Sequence, residues 1–340
     1  MIPLPRALTT LALAGLSVLA SPGRADPDSH SGGLLLVANK QSRTLSLVDP
    51  LSESEVASVA EGGITGHEVA ATADGLRAFV PIYGDSGVGK PGTDGSLIRV
   101  IDLKTREISG TIDLGRPTRP HRPVFGPRDG LLYVTTELSD SVTIIDPATL
   151  RVVGSVPTGQ AQSHMLAISS DGRFGYTANV NTGTVSVLDL GARTLAATIK
   201  VSPFVQRIAL SVDDRYAFTA DQTAARLAVI DTASRSVVRS IPLPGLAYGT
   251  APTPDGRSLV VAIPGLSLVA EVDLGTMRVA RTLGVPQAPQ EVLVRPDGAV
   301  AYVSCDSSGK VAAIDLANWR VEKLITVGPM DDGLAWAPAR

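Results

Sequence analysis

The residues with the clearest chemical potential in this sequence are three histidines at the same point of a repeating unit. His67, His121 and His164 each precede an aromatic strand residue by twelve positions, and the whole chain contains only four histidines. Neutral imidazoles bind Zn, Cu, Fe or Ni, and three of them around an open position form a common catalytic metal arrangement. The spacing therefore predicts a divalent transition metal (Zn, Cu or Fe) bound by these histidines. The alternative is that they hydrogen-bond only to water or to neighbouring carbonyl groups.

The other four copies of the repeat hold polar side chains at the same position, namely Gln206, Tyr248, Gln290 and Asp332. Glu68 and Arg122 directly follow two of the histidines, and Arg119 and Arg122 flank His121, where they could hold an anionic ligand. We expect these groups to form a ligand pocket together with polar residues from the other copies. The candidate ligand-pocket residues are Gln206, Tyr248, Gln290, Asp332, Arg122, Glu68 and Lys90.

The elements that position these residues are predicted by an internal repeat. Each copy has an aspartate at the end of a short strand, and successive aspartates are separated by 53, 44, 43, 42, 42 and 42 residues. One four-stranded propeller blade has about this length. The aspartates are best explained as turn residues that accept hydrogen bonds from the following backbone N–H groups. They are Asp49, Asp102, Asp146, Asp189, Asp231, Asp273 and Asp315.

Local composition favours strands throughout the repeat. Residues 131–159 read as three short strands rich in Val, Ile, Thr and Tyr, separated by turn residues. Asp-Gly pairs such as Asp171-Gly172 then predict a hairpin between the first two strands of a unit. The first copy lacks a preceding inner strand, and residues 332–338 resemble an inner strand with nothing after it. Pairing the two ends would complete a seventh blade and remove the exposed sheet edges.

Four strands carry a recognisable motif: Leu36-Val-Ala-Asn39, Tyr133-Val-Thr-Thr136, Tyr176-Thr-Ala-Asn179 and Tyr302-Val-Ser-Cys305. Over residues 34–338 the sequence resembles the YVTN repeat family of β-propellers. The resemblance implies an all-β, seven-bladed propeller of four-stranded antiparallel blades, and relatives that include lactonase-like and haem d1-binding propellers. It also implies that the innermost strands begin at the entrance of a central channel. The three histidines and the polar residues at the equivalent position of the other four copies would then form a ring around that entrance, which we call the polar ring.

The second copy contains an insertion of about ten residues within residues 82–96 (IYGDSGVGKPGTDGS). We expect a loop on the same face as the polar ring, either a cover for a ligand or a tolerated surface insertion. Residues 84–90 match the phosphate-binding pattern G-x-x-x-x-G-K. Pro91 replaces the Ser or Thr that binds Mg²⁺, and no helical pattern follows. Nucleotide binding at this site is therefore rejected.

The N-terminus predicts export. Arg6 precedes an apolar run over residues 7–20 that is followed by small residues, as in a secretory signal peptide. We predict a signal peptide at residues 1–25, a flexible mature N-terminus at 26–33 and one propeller domain at 34–340. Removing Arg6 and Arg24 would change the formal charge from −3 to −5, which argues against nucleic-acid binding. Cys305 is the only cysteine, so no internal disulfide can form.

Three functions remain open from the sequence, and the third is a pure scaffold that acts through its outer blade surfaces while the polar ring is inert. The first is a periplasmic or secreted binding propeller that holds a small ligand, a metal centre or a partner protein at the channel face. The second is an enzyme, either lactonase-like or metal-dependent through the three histidines, although no nucleophile or acid–base pair can be named. We expect a monomer without a membrane span in the mature chain.

Overall fold

Short runs of β-branched and aromatic residues, each ended by a turn residue, form the strands of this protein. The structure is a computed structural model that describes residues 1–3 and 32–339. Residues 4–31, which contain all but the first three residues of the predicted signal peptide and most of the predicted flexible segment, lie outside these ranges. Among the described residues we find no helical segment that could cross a bilayer. The two helices found there are single 3₁₀ turns, Glu137–Ser139 and Pro264–Leu266.

The strands form seven antiparallel sheets of four strands each, as predicted, and we number the sheets as blades along the chain. Blade 1 contains β1 (Leu34–Asn39), β2 (Thr44–Asp49), β3 (Ser54–Ala60) and β28 (Asp331–Ala337). Blade 2 contains β4 (Ala70–Ala71), β5 (Arg77–Gly84), β6 (Asp94–Asp102) and β7 (Glu107–Asp113). Blade 3 contains β8 (Pro120–Phe125), β9 (Leu132–Thr136), β10 (Ser141–Asp146) and β11 (Arg151–Pro157).

The remaining blades follow the same order. Blade 4 contains β12 (Ser163–Ile168), β13 (Phe174–Asn179), β14 (Thr184–Asp189) and β15 (Thr194–Lys200). Blade 5 contains β16 (Val205–Leu210), β17 (Tyr216–Asp221), β18 (Arg226–Asp231) and β19 (Ser236–Pro242). Blade 6 contains β20 (Thr250–Pro252), β21 (Ser258–Ile263), β22 (Leu268–Asp273) and β23 (Arg278–Gly284). Blade 7 contains β24 (Pro289–Val294), β25 (Val300–Cys305), β26 (Lys310–Asp315) and β27 (Arg320–Thr326).

The two chain ends close the ring within one blade. β28 pairs antiparallel with β1, and Leu35 lies opposite Trp336 in this register. The predicted shared blade is therefore confirmed. This pairing supplies the inner strand that the first copy of the repeat lacks, and it covers a strand edge that would otherwise be free to pair with another chain.

The aspartates of the repeat act as turn residues, as predicted. Asp146 Oδ1 accepts a hydrogen bond of 2.8 Å from the Ala148 N–H, and Asp315 Oδ1 accepts one of 3.0 Å from the Asn318 N–H. Between the blades the core consists of aliphatic and aromatic side chains from the middle strands, such as Phe218 against Leu259. The packing of neighbouring sheets places all inner strands around one axis, with their first residues at the same face.

A candidate ligand site at the channel mouth

The polar ring predicted from the repeat lies where the inner strands begin. His121, His164, Gln206 and Asp332 are each the second residue of an inner strand, in β8, β12, β16 and β28. A cavity of about 380 Å³ opens there, which we call the mouth cavity. Six of the seven ring positions line the cavity: His67, His121, His164, Gln206, Tyr248 and Asp332. Gln290 does not line it, and its backbone carbonyl accepts a hydrogen bond of 2.9 Å from Gly249.

The three imidazoles lie against one another. The ring centroids of His121 and His164 are 3.6 Å apart and the rings stack, while His67 meets His121 edge-on at 5.6 Å. The Tyr83 ring contacts all three histidines, with centroid distances between 4.6 and 5.9 Å. The mouth cavity is therefore bounded on one side by a continuous aromatic surface.

Burial keeps two of these imidazoles uncharged. His121 is only 2% exposed, and loss of hydration, reinforced by its histidine and arginine neighbours, holds the pKa of His121 well below its ordinary value. Desolvation also lowers the pKa of His67, to about 3, although Asp332 opposes the effect. His121 Nδ1 and Gln206 Oε1 are buried without a hydrogen-bond partner among the described residues. Buried polar atoms without a partner are rare in folded proteins, and both side chains line the mouth cavity.

A buried glutamate orients the third imidazole. Glu137 Oε2 accepts a hydrogen bond of 2.6 Å from the Tyr83 hydroxyl and lies 3.3 Å from His164 Nδ1. Burial raises the pKa of Glu137, but the hydrogen bonds from His164 and Tyr83 outweigh burial, so the net pKa lies below the ordinary value. A carboxylate at Nδ1 favours the tautomer in which His164 Nε2 accepts hydrogen bonds.

Below the mouth cavity the channel is filled by ion pairs, which we call the ion-pair layer. Arg207 donates hydrogen bonds of 2.5 Å to both Glu68 and Glu291, and one of 2.9 Å to Asp332. Arg122 contacts the same two glutamates at 2.5 and 3.1 Å. The layer is completed by Lys40, which lies 3.2 Å from Asp332. Three cationic and three anionic side chains thus face one another, and Lys40 also pairs with Asp306 at 2.8 Å.

The ion-pair layer holds the Asp332 carboxylate in its charged form. Burial alone would raise the pKa of Asp332, but the Lys40 and Arg207 charges outweigh burial and lower it to about 2. Two predicted pocket residues, Glu68 and Arg122, belong to this layer and do not line the mouth cavity. Arg122 is therefore already paired and is not a free anion-binding group.

The predicted insertion forms a loop over the mouth cavity. Residues 85–93, which we call the cover loop, connect β5 to β6, and Gly87, Val88 and Lys90 of the loop line the cavity. Gly89 lies so close to blade 4 that a Cβ atom there would lie 2.7 Å from Gln162 Nε2, and its φ of +65° suits glycine. The loop therefore spans from blade 2 to blade 4 across the histidines.

Arg119 fixes the cover loop in this position. Its guanidinium donates hydrogen bonds to Lys90 O at 2.7 Å, Ser86 Oγ at 3.0 Å and Asp94 Oδ1 at 2.5 Å. Arg119 is 4% exposed, so these charge-assisted bonds form largely away from water. The sequence pointed to Arg119 as an anion-binding candidate, but the structure uses it to hold the loop.

The geometry of the histidines gives no support to a three-histidine metal site. A shared ion needs imidazole nitrogens that converge, whereas His121 and His164 stack face to face. Within residues 1–3 and 32–339, no group of three or more His, Cys, Asp or Glu side chains is placed to hold a metal ion.

Comparisons with known proteins agree with this architecture. The sequence model of the family described as Cytochrome D1 heme domain matches residues 127–273, from β9 to β22. The chain is a relative of the seven-bladed β-propellers. A solved chain from Kuenenia stuttgartiensis Hydrazine Synthase is similar with a TM-score of 0.73 and 19% identity, covering 89% of this chain and 99% of that one. No curated protein matches significantly.

A second solved structure supports the same fold. It is a functionally unknown protein from Desulfotomaculum acetoxidans DSM 771, with a TM-score of 0.74 and 13% identity over 91% of this chain and 100% of that one. Identities this low establish a shared fold only, because one fold hosts many activities. The nature of the site must be argued from its own residues.

Several important side chains were missed by the sequence reasoning. Tyr83 lies near the end of β5 and Glu137 directly follows β9, both outside the aligned ring position, so the repeat gave no reason to select them. Arg207 follows Gln206 as Arg122 follows His121. This correspondence between blades 3 and 5 could have predicted that the residues after the ring positions form the ion-pair layer.

Proposed function

We propose that this protein is an exported binding propeller that holds a small polar molecule in the mouth cavity beneath the cover loop. The observation that carries the proposal is the cover loop, fixed by Arg119 over a cavity lined by His121 and Gln206, each of which has a buried side-chain atom without a hydrogen-bond partner among the described residues. Buried orphan atoms cost about 1–3 kcal/mol each unless a ligand pairs with them. Export rests on the sequence of residues 1–25 alone.

Haem is the cofactor that the description of the matching family names, and the mouth cavity does not fit it. The volume of about 380 Å³ is near the lower end of the roughly 300–1,000 Å³ of ligand pockets. A tetrapyrrole needs a wide apolar slot, whereas this lining includes the charged side chains of Lys40, Lys90 and Asp332. The 3.6 Å stack of His121 on His164 also leaves no space for a macrocycle between them. The ligand we propose is smaller and more polar.

An enzymatic role is the second candidate, because Glu137 orients His164. A carboxylate at Nδ1 is the arrangement that prepares Nε2 to take a proton from water as a general base. This role would explain the buried Tyr83–Glu137–His164 contacts. Loss of hydrolysis of simple lactones in Glu137→Gln, with ligand binding retained, would favour it over binding alone.

The binding proposal is tested by thermal unfolding of the purified mature protein against a panel of small carboxylic acids, sugars and amines. A ligand present at 100 times its Kd stabilises the folded state by about 2.7 kcal/mol, so we expect at least one compound to raise Tm by several degrees. His121→Ala and Gln206→Ala should abolish the rise, whereas the exposed Gln41→Ala on the same face should keep it. A rise that survives in both cavity variants, or no rise with any compound, contradicts the proposal.

A further inference from the structure

Three adjacent loops on the blade 4 side of the mouth cavity each supply an apolar side chain to its lining. These side chains are Val88 of the cover loop, Val180 and Phe204. A Cβ atom at Gly89 would lie 3.1 Å from Asn181 Nδ2, so the cover loop touches the turn that contains Val180. The Val205 N–H donates a hydrogen bond of 3.5 Å to Val180 O, so the connection that contains Phe204 lies beside the same turn. The cavity therefore has an apolar end.

Phe204 presents an exposed aromatic ring from a fixed backbone. Its carbonyl oxygen accepts hydrogen bonds of 3.0 Å from the Gln222 N–H and 2.7 Å from the Ser202 hydroxyl. Phe204 is nevertheless 42% exposed, at the edge of the cavity that it lines. A ring held in this way is a preorganised surface on which an aromatic group of a ligand can pack.

The cover loop adds an unpaired cation to the same cavity. Lys90 is exposed, and within residues 1–3 and 32–339 its ammonium group has no carboxylate at ion-pair distance. The Lys90 backbone is held by the hydrogen bond of 2.7 Å from Arg119. The nearby carboxylates already have partners, because Asp85 Oδ1 accepts a hydrogen bond of 2.6 Å from the Thr93 N–H and Asp94 pairs with Arg119.

The other charged side chains of the lining are paired with carboxylates or with one another. Lys40 lies 2.8 Å from Asp306 and 3.2 Å from Asp332. Arg207 contacts Asp332 at 2.9 Å and also the two glutamates of the ion-pair layer. The Asp332 carboxylate thus faces two cations and is not free to pair with an incoming amine. Lys90 is the charge on the described lining that lacks a counter-charge, and it favours an anionic ligand.

We propose that the ligand of the mouth cavity is a small aromatic monocarboxylate, with its carboxylate at Lys90 and its ring on Phe204. Val88 and Val180 would contact the same ring. This assignment rests on the function proposed above and names the class of molecule that the cavity selects. The ring removes apolar surface of the three side chains from water, and the carboxylate supplies the missing counter-charge.

Calorimetric titration of the full mature protein with phenylacetate and three matched compounds tests the assignment. Phenylacetate should bind at least 5-fold more tightly than 2-phenylethanol, which keeps the ring without the charge. It should bind at least 10-fold more tightly than phenethylamine, which reverses the charge, and than acetate, which lacks the ring. Its advantage over 2-phenylethanol should shrink as NaCl is raised from about 0.05 to 0.5 M, because an exposed ion pair is screened by salt.

The outcomes separate this assignment from the function on which it rests. Binding of phenylacetate that is no tighter than that of 2-phenylethanol or phenethylamine overturns the assignment. If a sugar or an amine raises Tm instead, and the rise depends on His121 and Gln206, the assignment fails while the binding function stands. If no compound binds, both fail.

Variants locate the two contacts. Lys90→Gln should weaken phenylacetate binding to the level of 2-phenylethanol and leave 2-phenylethanol unaffected. Lys200→Gln is the matched control, because Lys200 is exposed on the same face and does not line the cavity. Phe204→Ser should weaken both aromatic compounds at least 5-fold. Its control is Leu246→Ser, since Leu246 is 45% exposed on the same face outside the cavity.

All four substitutions are at exposed positions, so the variants should fold with nearly unchanged stability. Thermal unfolding without ligand checks this. Equal losses of phenylacetate binding in Lys90→Gln and Lys200→Gln, or full binding in Phe204→Ser, would contradict the assignment.

Discussion

His121 combines nearly complete burial with an unpartnered ring nitrogen, and its protonation should therefore limit stability in acid. Its pKa is well below the ordinary value in the folded state, whereas in the unfolded chain it takes up a proton below about pH 6.5. The unfolded state thus binds more protons as the pH falls from 6.5. Folding stability must decrease in that range, by up to about 1.4 kcal/mol per pH unit for this residue.

Replacement of His121 by Gln should remove this contribution. We expect the free energy of unfolding of His121→Gln to depend less steeply on pH between 6 and 4, by about 1 kcal/mol per pH unit. Urea unfolding of both proteins at several pH values measures the difference. Burial raises the pKa of Glu61 and Asp331 to about 7, which gives an opposite slope, but both proteins share it. Parallel profiles would show that His121 is not buried in its neutral form.

The sequence predicts that the three histidines lie close together, but it does not predict the contacts that each imidazole makes. Equal spacing from the strands placed His67, His121 and His164 at one position of the repeat, and the structure brings them into contact. Spacing does not determine side-chain rotamers, so it could not show that His121 and His164 stack. It also could not select Glu137, whose contact with His164 depends on neighbouring blades.

The cover loop is the element that distinguishes this chain from a plain repeat. Its composition predicted a loop on the mouth face, and the structure confirms that position, with a strand and no helix after residues 84–90. The phosphate-loop pattern is therefore a coincidence of glycines in a β-hairpin. The sequence could not show that the loop has a fixed position. That position depends on the hydrogen bond from Arg119, which lies in the connection to the next blade, to the backbone of Lys90.

Removal of the Arg119 side chain should release the cover loop. Each hydrogen bond from a charged group contributes about 1.5–3 kcal/mol, so Arg119→Ala should increase the rate of proteinase K cleavage within residues 85–93 at least tenfold. The matched control is Arg116→Ala, an exposed arginine in the same connection. Cleavage at equal rates in the two variants would show that Arg119 does not hold the loop.

At the scale of the whole molecule, ring closure creates the ion-pair layer below the mouth cavity. The aspartate spacing and the complementary chain ends were enough to predict seven blades and a shared blade 1. They could not predict that Arg207 meets Asp332, which lies 125 residues away in sequence. Such contacts depend on how far each side chain reaches across the axis, and the repeat sets only the positions of the backbones.

The central claim is that the mouth cavity binds a ligand beneath the cover loop, and hydrogen exchange tests it most directly. Exchange of the backbone amides in residues 85–93 should slow on addition of a saturating compound found by thermal unfolding, because the ligand contacts Gly87 and Val88 from below. His121→Ala should show no slowing at the same concentration. Unchanged exchange in residues 85–93, with protection elsewhere in the propeller, would contradict the account.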